Sequence, residues 1–273
     1  MHFKSNSFFS KSRFLLILIL YLLFLDACDS TTTSKAQKEL LIYCGITMVK
    51  PITEIAKIIE EQENIKVNIS QGGSKDLYKS LKHSMVGDLY LPGSSSYRDR
   101  NLKDGLLKEF QLVGYNQAAM LVQKNNPKDI KADLHQLLRD DLSVVMCNPE
   151  SGSIGRETKK ILTNNNLYDK VLKNIAFLNS DSRTLNNSLK NNKADLIINW
   201  RATAFFDDNI DHIDVIDLPT GMVKPNKLQI NLLSFSKHPE IAKRFMSLSA
   251  SEKGQEIFRR YGFLDKNMNS NSN

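Results

Sequence analysis

Three times in the body of this chain a short strand-like run passes through a polar turn, rich in glycine and hydroxyl side chains, into a run with helical spacing. LLIYC (Leu40 to Cys44) leads through GIT to a segment in which Ile52, Ile55 and Ile59 recur. IKVNIS leads through QGGS to Leu77, Tyr78 and Leu81, and LSVVMC leads through NPESGS to Ile154, Thr158, Ile161 and Leu162. A fourth copy begins at IAFLNSDS and continues to Leu185 and Leu189. Apolar runs that alternate with 3.6-period runs predict helices layered on largely parallel sheets, an α/β architecture. With 273 residues, 41% of them apolar, the chain can fill two modest cores or one large one. Pro51 fits only near the start of a helix, which sets the first helical N-terminus near Thr47.

Each turn is also chemically equipped. The first turn of a helix leaves backbone N–H groups without partners and carries a partial positive charge. Glycine lets a ligand approach the backbone, and nearby hydroxyls can donate to an oxygen. Taken singly, every one of the four turns reads equally as an ordinary N-cap. Four that converged would hold an oxyanion without any lysine.

The ends of the chain read differently from its body. Lys4, Lys11 and Arg13 precede FLLILILYLLFL (Phe14 to Leu25), an apolar run short for a membrane span, which ends in LDAC (Leu25 to Cys28). LDAC resembles the lipobox of bacterial lipoproteins, with Asp26 a departure from it; residues 1–27 then read as a signal peptide and Cys28 as the lipidated first residue of the mature protein. An uncleaved anchor helix is the alternative, and either reading turns the body outward from a cytoplasmic membrane. Asp29 resembles the signal that retains lipoproteins in the inner membrane. Residues 28–37 form a polar tether and 266–273 a disordered tail.

Several function classes drop out. Without residues 1–27 the net charge falls from +7 to +5, and no Lys/Arg block or aromatic-basic interleaving accompanies it, so nucleic acid is not an expected partner. Apart from Cys28, only Cys44 and Cys147 remain, too few for a disulfide framework; two buried thiols are expected. His83, His135, His212 and His238 show neither a metal-ligand spacing nor a motif tying them to a thiol, and no GxSxG or HExxH occurs. Neither an enzyme nor a metal site is expected.

Four stretches, in order, resemble the periplasmic molybdate-binding proteins of ATP-driven importers over most of residues 38–265. These are NPESGSIGRETKKIL, SRTLNNSLKNNKADLIINW, FMSLSASEKGQEIFRRYGF and, more loosely, HSMVGDLYL. The resemblance implies a two-lobed periplasmic-binding-protein fold of type II, each lobe a mixed, mostly parallel sheet flanked by helices. Residues 38–115 plus 220–265 would form lobe one and 116–219 lobe two, with crossovers near Gly114 to Val122 and Ile216 to Lys227. It implies no cofactor, a molybdate or tungstate ligand, an importer permease as partner, a monomer, and a lipid-anchored position on the periplasmic face of the inner membrane. Carried over singly, the family's hydroxyl donors fall at Thr47 and Ser74 and its backbone donors at Ile154 and Ser182.

The family's tyrosine position falls at Trp200, followed by Arg201, and there the pattern departs. Trp200 offers one indole N–H, and Arg201, if turned inward, a fixed positive fork suited to phosphate, sulfate or carboxylate. Otherwise Arg201 faces solvent or pairs with Asp207 or Asp208. Arg183 is expected to be structural, and Ser94, Ser95 and Ser96 of LPGSSSYRDR to form a surface loop or one wall of the cleft. Another anion, or ligand sensing for a membrane partner, is the alternative function on the same fold.

Overall fold

The computed structural model describes residues 38–219 and 221–268. Residues 1–27, read from the sequence as a signal peptide, and residues 28–37, read as a tether beginning at Cys28, lie outside these residues. Among the described residues no helix is long and apolar enough to cross a membrane.

The repeated pattern folds as repeated units. Strand β1 (Glu39–Gly45) buries Leu40, Ile42 and Cys44 completely. The chain then makes a 3-10 turn at Ile46–Met48 and enters α1 (Val49–Glu63). The α-helix therefore opens two residues later than the sequence indicates, with Pro51 still in its first turn, where no N–H is missed. Ile52, Ile55 and Ile59 cover the sheet, and burial of each contributes about 1.5–3 kcal/mol. Asn64, in the left-handed conformation with φ of 49°, ends the helix and turns the chain into β2 (Lys66–Gly72). There follow α2 (Ser74–Ser84), β3 (Leu89–Leu91), α3 (Ser96–Asn101) and β4 (Leu107–Asn116).

The second set comprises β5 (Ala118–Gln123), β6 (Val144–Cys147), α4 (Ser153–Asn164), α5 (Tyr168–Asn174), β7 (Phe177–Asn179), α6 (Ser182–Lys190), β8 (Leu196–Trp200) and β9 (Ile213–Ile216). The chain then returns through β10 (Asn226–Leu233) and closes with α7 (Pro239–Ala250) and α8 (Glu252–Arg260).

Two five-stranded sheets result, ordered β2-β1-β3-β10-β4 and β7-β6-β8-β5-β9. The first draws on residues 39–116 and 226–233, the second on residues 118–216, so the chain passes between them at Gln117 and again between β9 and β10. Both sheets are mixed, as expected, with two parallel and two antiparallel pairings in each. The parallel pairs are those joined by helices; the strands that follow each crossover, β5 and β10, supply the antiparallel ones.

Each sheet has its own core. Trp200, Leu196, Ile198 and Leu185 are fully enclosed in the second; Ile42, Ile52, Phe245 and Phe258 in the first. Ala202 and Phe206, just beyond β8, join the core of the first sheet. Cys44 and Cys147 are buried free thiols. Burial pushes the Cys147 thiol up to about 12 and raises that of Cys44 further, so both are protonated at neutral pH. At the end of the described residues, Lys266 N–H donates to Gln255 Oε1 at 2.6 Å and Asn267 N–H to Asp265 Oδ1 at 2.8 Å.

Candidate ligand-binding site

The four polar turns meet. Gly45, Ile46 and Thr47 from the first, Gly72, Gly73 and Ser74 from the second, Gly152, Ser153 and Ile154 from the third, and Asp181 and Ser182 from the fourth line one cavity of about 10 Å³. Gly93, in the loop after β3, completes the wall. No lysine or arginine is among the lining residues. Thr47, Ser74, Ile154 and Ser182, named from the resemblance, all line it, and all are buried.

The four turns differ in how their helix starts are capped. The N-caps Gly45, Gly73 and Gly152 make no side-chain cap bond. Of the four, only the turn at α6 has a side-chain cap, Asp181, whose carboxylate accepts from the N–H groups of Arg183 and Thr184 at 2.9 Å. The helices α2 and α4 thus direct first-turn N–H groups, and the positive end of the peptide dipole, toward the cavity with no side-chain cap to absorb them. Asp181 is the one acidic residue in the wall, and its charge is already met by its own helix.

The lining is held rigidly from behind. Gly93 N–H donates to Ser74 Oγ at 3.1 Å, and the Tyr90 hydroxyl donates to the Ser74 carbonyl at 2.8 Å. Asn199 Nδ2 donates to the Ser182 carbonyl at 2.9 Å, tying the fourth turn to β8. Ser151 Oγ donates to the Ser180 carbonyl at 2.7 Å and joins the third turn to the fourth. The Thr47 hydroxyl lies 2.8 Å from Met48 Sδ, a weak acceptor that a ligand oxygen would readily replace.

Contacts also run between residues of the two sheets' segments around the cavity. Lys75 pairs with Glu150 at 3.4 Å, Arg183 Nη2 donates to Gln71 Oε1 at 2.6 Å, and Arg156 Nη2 donates to the Tyr97 hydroxyl at 2.9 Å. Gly73 lies against the third turn so closely that a Cβ there would stand 3.0 Å from the Ser151 carbonyl oxygen. A cavity of this size holds about one water molecule. Anything larger than a water molecule would require the two walls to part.

Trp200 and Arg201 sit elsewhere. Neither lines the cavity. Trp200 is fully buried in the second core, and its Nε1–H donates to Ser153 Oγ at 3.3 Å, one residue behind the wall. Arg201 pairs with Asp217 at 3.0 Å and lies over the Phe205 ring, 4.7 Å from its centroid. Asp207 and Asp208, considered as its partners from the sequence, instead face Lys50, and Asp208 also Lys190. Because an exposed pair contributes about 0–1 kcal/mol and surface changes away from a site move free energies by about 0.5 kcal/mol, Arg201→Gly is expected to shift anion affinity by about twofold at most. A tenfold change in a titration of the variant would put Arg201 at the ligand.

Gly93 and Ser153 were not legible from the sequence as lining residues. The proline-glycine pair after β3 and the second serine of ESGS were the available signals. Ser94, within the same loop, donates its hydroxyl to Asn226 Oδ1 at 3.1 Å and so fastens the loop to β10.

Two α/β lobes that meet over a cavity walled by helix starts constitute the type II periplasmic-binding-protein fold. The chain belongs to the bacterial extracellular solute-binding protein family, whose profile matches residues 40–264. A Haemophilus influenzae protein described as a binding protein is 23% identical over 234 residues, covering 86% of this chain and 94% of its own length. Among solved structures, the sulfate-binding protein SubI of Mycobacterium tuberculosis superposes with a TM-score of 0.75 at 14% identity, over 84% of this chain and 88% of that one. The Azotobacter vinelandii periplasmic molybdate-binding protein gives 0.70 at 15% identity, over 82% and 98%. PEB3 with bound L-phospholactate gives 0.66 at 18%, over 82% and 98%. Thiamin- and iron-binding proteins share the fold as well, so the fold alone does not name the solute. Membership of the family implies a bound solute and an ABC transporter as partner.

Proposed function

We propose that this protein captures a tetrahedral oxyanion outside the cytoplasm and delivers it to an ABC importer. The observation that carries the reading is the convergence of glycine-capped helix starts on one cavity lined by hydroxyls and backbone N–H groups. Neutral donors fixed in place suit an anion that must be released again, because they bind charge without forming an ion pair that is slow to part. Molybdate, sulfate and the phosphoryl group of phospholactate, named for three structural neighbours, share this tetrahedral oxygen geometry.

In this mechanism Thr47 and Ser74 grip the anion from one lobe, Ile154 and Ser182 from the other. The anion makes both sets of contacts only when the lobes are closed, so binding favours closure, and closure is what the permease reads. No bond is broken. We further propose that Cys28 carries the lipid that holds a monomeric protein at the periplasmic face of the inner membrane, with molybdate or tungstate the first inorganic ligands to test.

The test is a thermal-shift series with molybdate, tungstate, sulfate and phosphate against chloride at equal ionic strength. Mass action raises the melting temperature in proportion to the logarithm of ligand over Kd, so at least one tetrahedral anion should stabilise the protein where chloride does not. A flat response to all four up to millimolar concentration would overturn the oxyanion reading and leave the fold untouched. A shift with phosphate or sulfate but not molybdate would remove molybdate alone.

A further inference from the structure

Beside the cradle lies a larger hollow of about 280 Å³ that shares Ile46, Thr47 and Ser182 with it. Its volume is nearly twice the roughly 150 Å³ of a cavity that admits benzene. An inorganic anion seated in the cradle has no atoms to place there.

The walls of the hollow differ chemically from the cradle. Arg183 stands on it, gives one N–H to the neutral Gln71 and forms no ion pair among the described residues. Asn209 also lines it and is only 3% exposed. Its Nδ2 donates to the Thr203 carbonyl at 2.7 Å, while its Oδ1 has no hydrogen-bond partner among the described residues. A buried amide oxygen without a donor is costly, and a small rotation of this enclosed side chain would offer it to a ligand donor in the hollow. Phe206 supplies an apolar wall. An unpaired cation, an unsatisfied acceptor and one apolar face match a small hydroxylated organic body attached to an anion.

We propose that the natural ligand is an organic phosphate monoester, its phosphoryl group in the cradle and its hydroxyl-bearing carbon skeleton in the adjoining hollow. The proposal rests on the oxyanion reading above and adds the body. A phosphate ester, unlike a sulfate ester, carries close to two negative charges at neutral pH, which the unpaired Arg183 beside the cradle favours.

The experiment is calorimetric titration of the purified protein, and of an Asn187→Trp variant, with glycerol 3-phosphate, phospholactate, inorganic phosphate and molybdate. Asn187 is an exposed residue of the hollow, away from the cradle, so the bulky indole takes up space in the hollow and leaves every cradle residue unchanged. At least one ester should bind about tenfold or more tightly than either inorganic anion, and Asn187→Trp should erase that advantage while inorganic phosphate binds as before. Inorganic phosphate or molybdate equal to or tighter than both esters would overturn the proposal and leave the oxyanion reading intact. An ester advantage that survives Asn187→Trp would overturn the placement of the body in this hollow. Absence of binding by all four would bring down the oxyanion reading and this proposal together.

Discussion

Replacing Gly93 with alanine is expected to weaken anion binding about tenfold to a hundredfold while leaving the fold intact. An added Cβ would stand 3.2 Å from Ser153 Cβ and inside contact distance of Ser153 Oγ. Carbon atoms rest at about 3.5–4.0 Å, so something must yield. Ser153 could rotate only by giving up the hydrogen bond from Trp200, and otherwise the two walls of the cradle must separate. Overpacking of this kind costs about 1–3 kcal/mol, and in the proposed mechanism it falls on the closed, ligand-binding state. Gly93 has no left-handed backbone to protect, so alanine is tolerated by the open form. Gly72→Ala is the matched control, since its Cβ would meet only Leu77, at an ordinary 3.6 Å. Titration of both variants decides the matter: equal affinities would mean that closure does not bring Gly93 against Ser153.

Trp200→Ala is expected to cost about 3–5 kcal/mol of stability, a large share of the roughly 5–15 kcal/mol that holds a folded domain. The indole is the largest fully buried side chain, and its removal opens a cavity in the second core that Leu196 and Ile198 cannot collapse to fill. Urea unfolding followed by circular dichroism is the suitable measurement, because Trp200 is the only tryptophan in the chain and the variant loses intrinsic tryptophan emission. Trp200→Phe separates packing from ligand contact. It removes the Nε1–H to Ser153 while keeping an aromatic ring, so stability should fall by about 1 kcal/mol or somewhat more, and anion affinity should change little. Binding abolished in the phenylalanine variant with stability preserved would place Trp200 at the ligand.

Much of the architecture can be read from the alternation itself. Short buried runs such as LLIYC and LSVVMC and the isoleucine spacing of α1 carry local information, and local information survives in a single sequence. The antiparallel pairings of β5 and β10 are different: they join residues far apart along the chain, and no local pattern encodes a partner. The same distinction runs through the site. Turns at Ser74 and Ile154 are visible as glycine and serine before a helix, yet their meeting depends on how the two lobes lie against each other. Arg201 has five carboxylates in the next 16 residues, and only the path of β9 selects Asp217 over Asp207, Asp208, Asp211 and Asp214. Gly93 carries no local signal because its role is spatial: it matters for the atom it lacks, and that depends on Ser153 lying opposite.

The cradle at Ile154 is made of backbone, which has a consequence for how this protein tolerates genetic change. Alanine scanning, the usual way to locate a binding site, deletes side chains and would pass over Ile154 with little trace in ligand affinity, registering only a loss of packing. Loss-of-binding alleles should instead collect at glycines, where mutation adds a methyl group, and at Pro substitutions that strip an N–H from the first turns of α2 and α4.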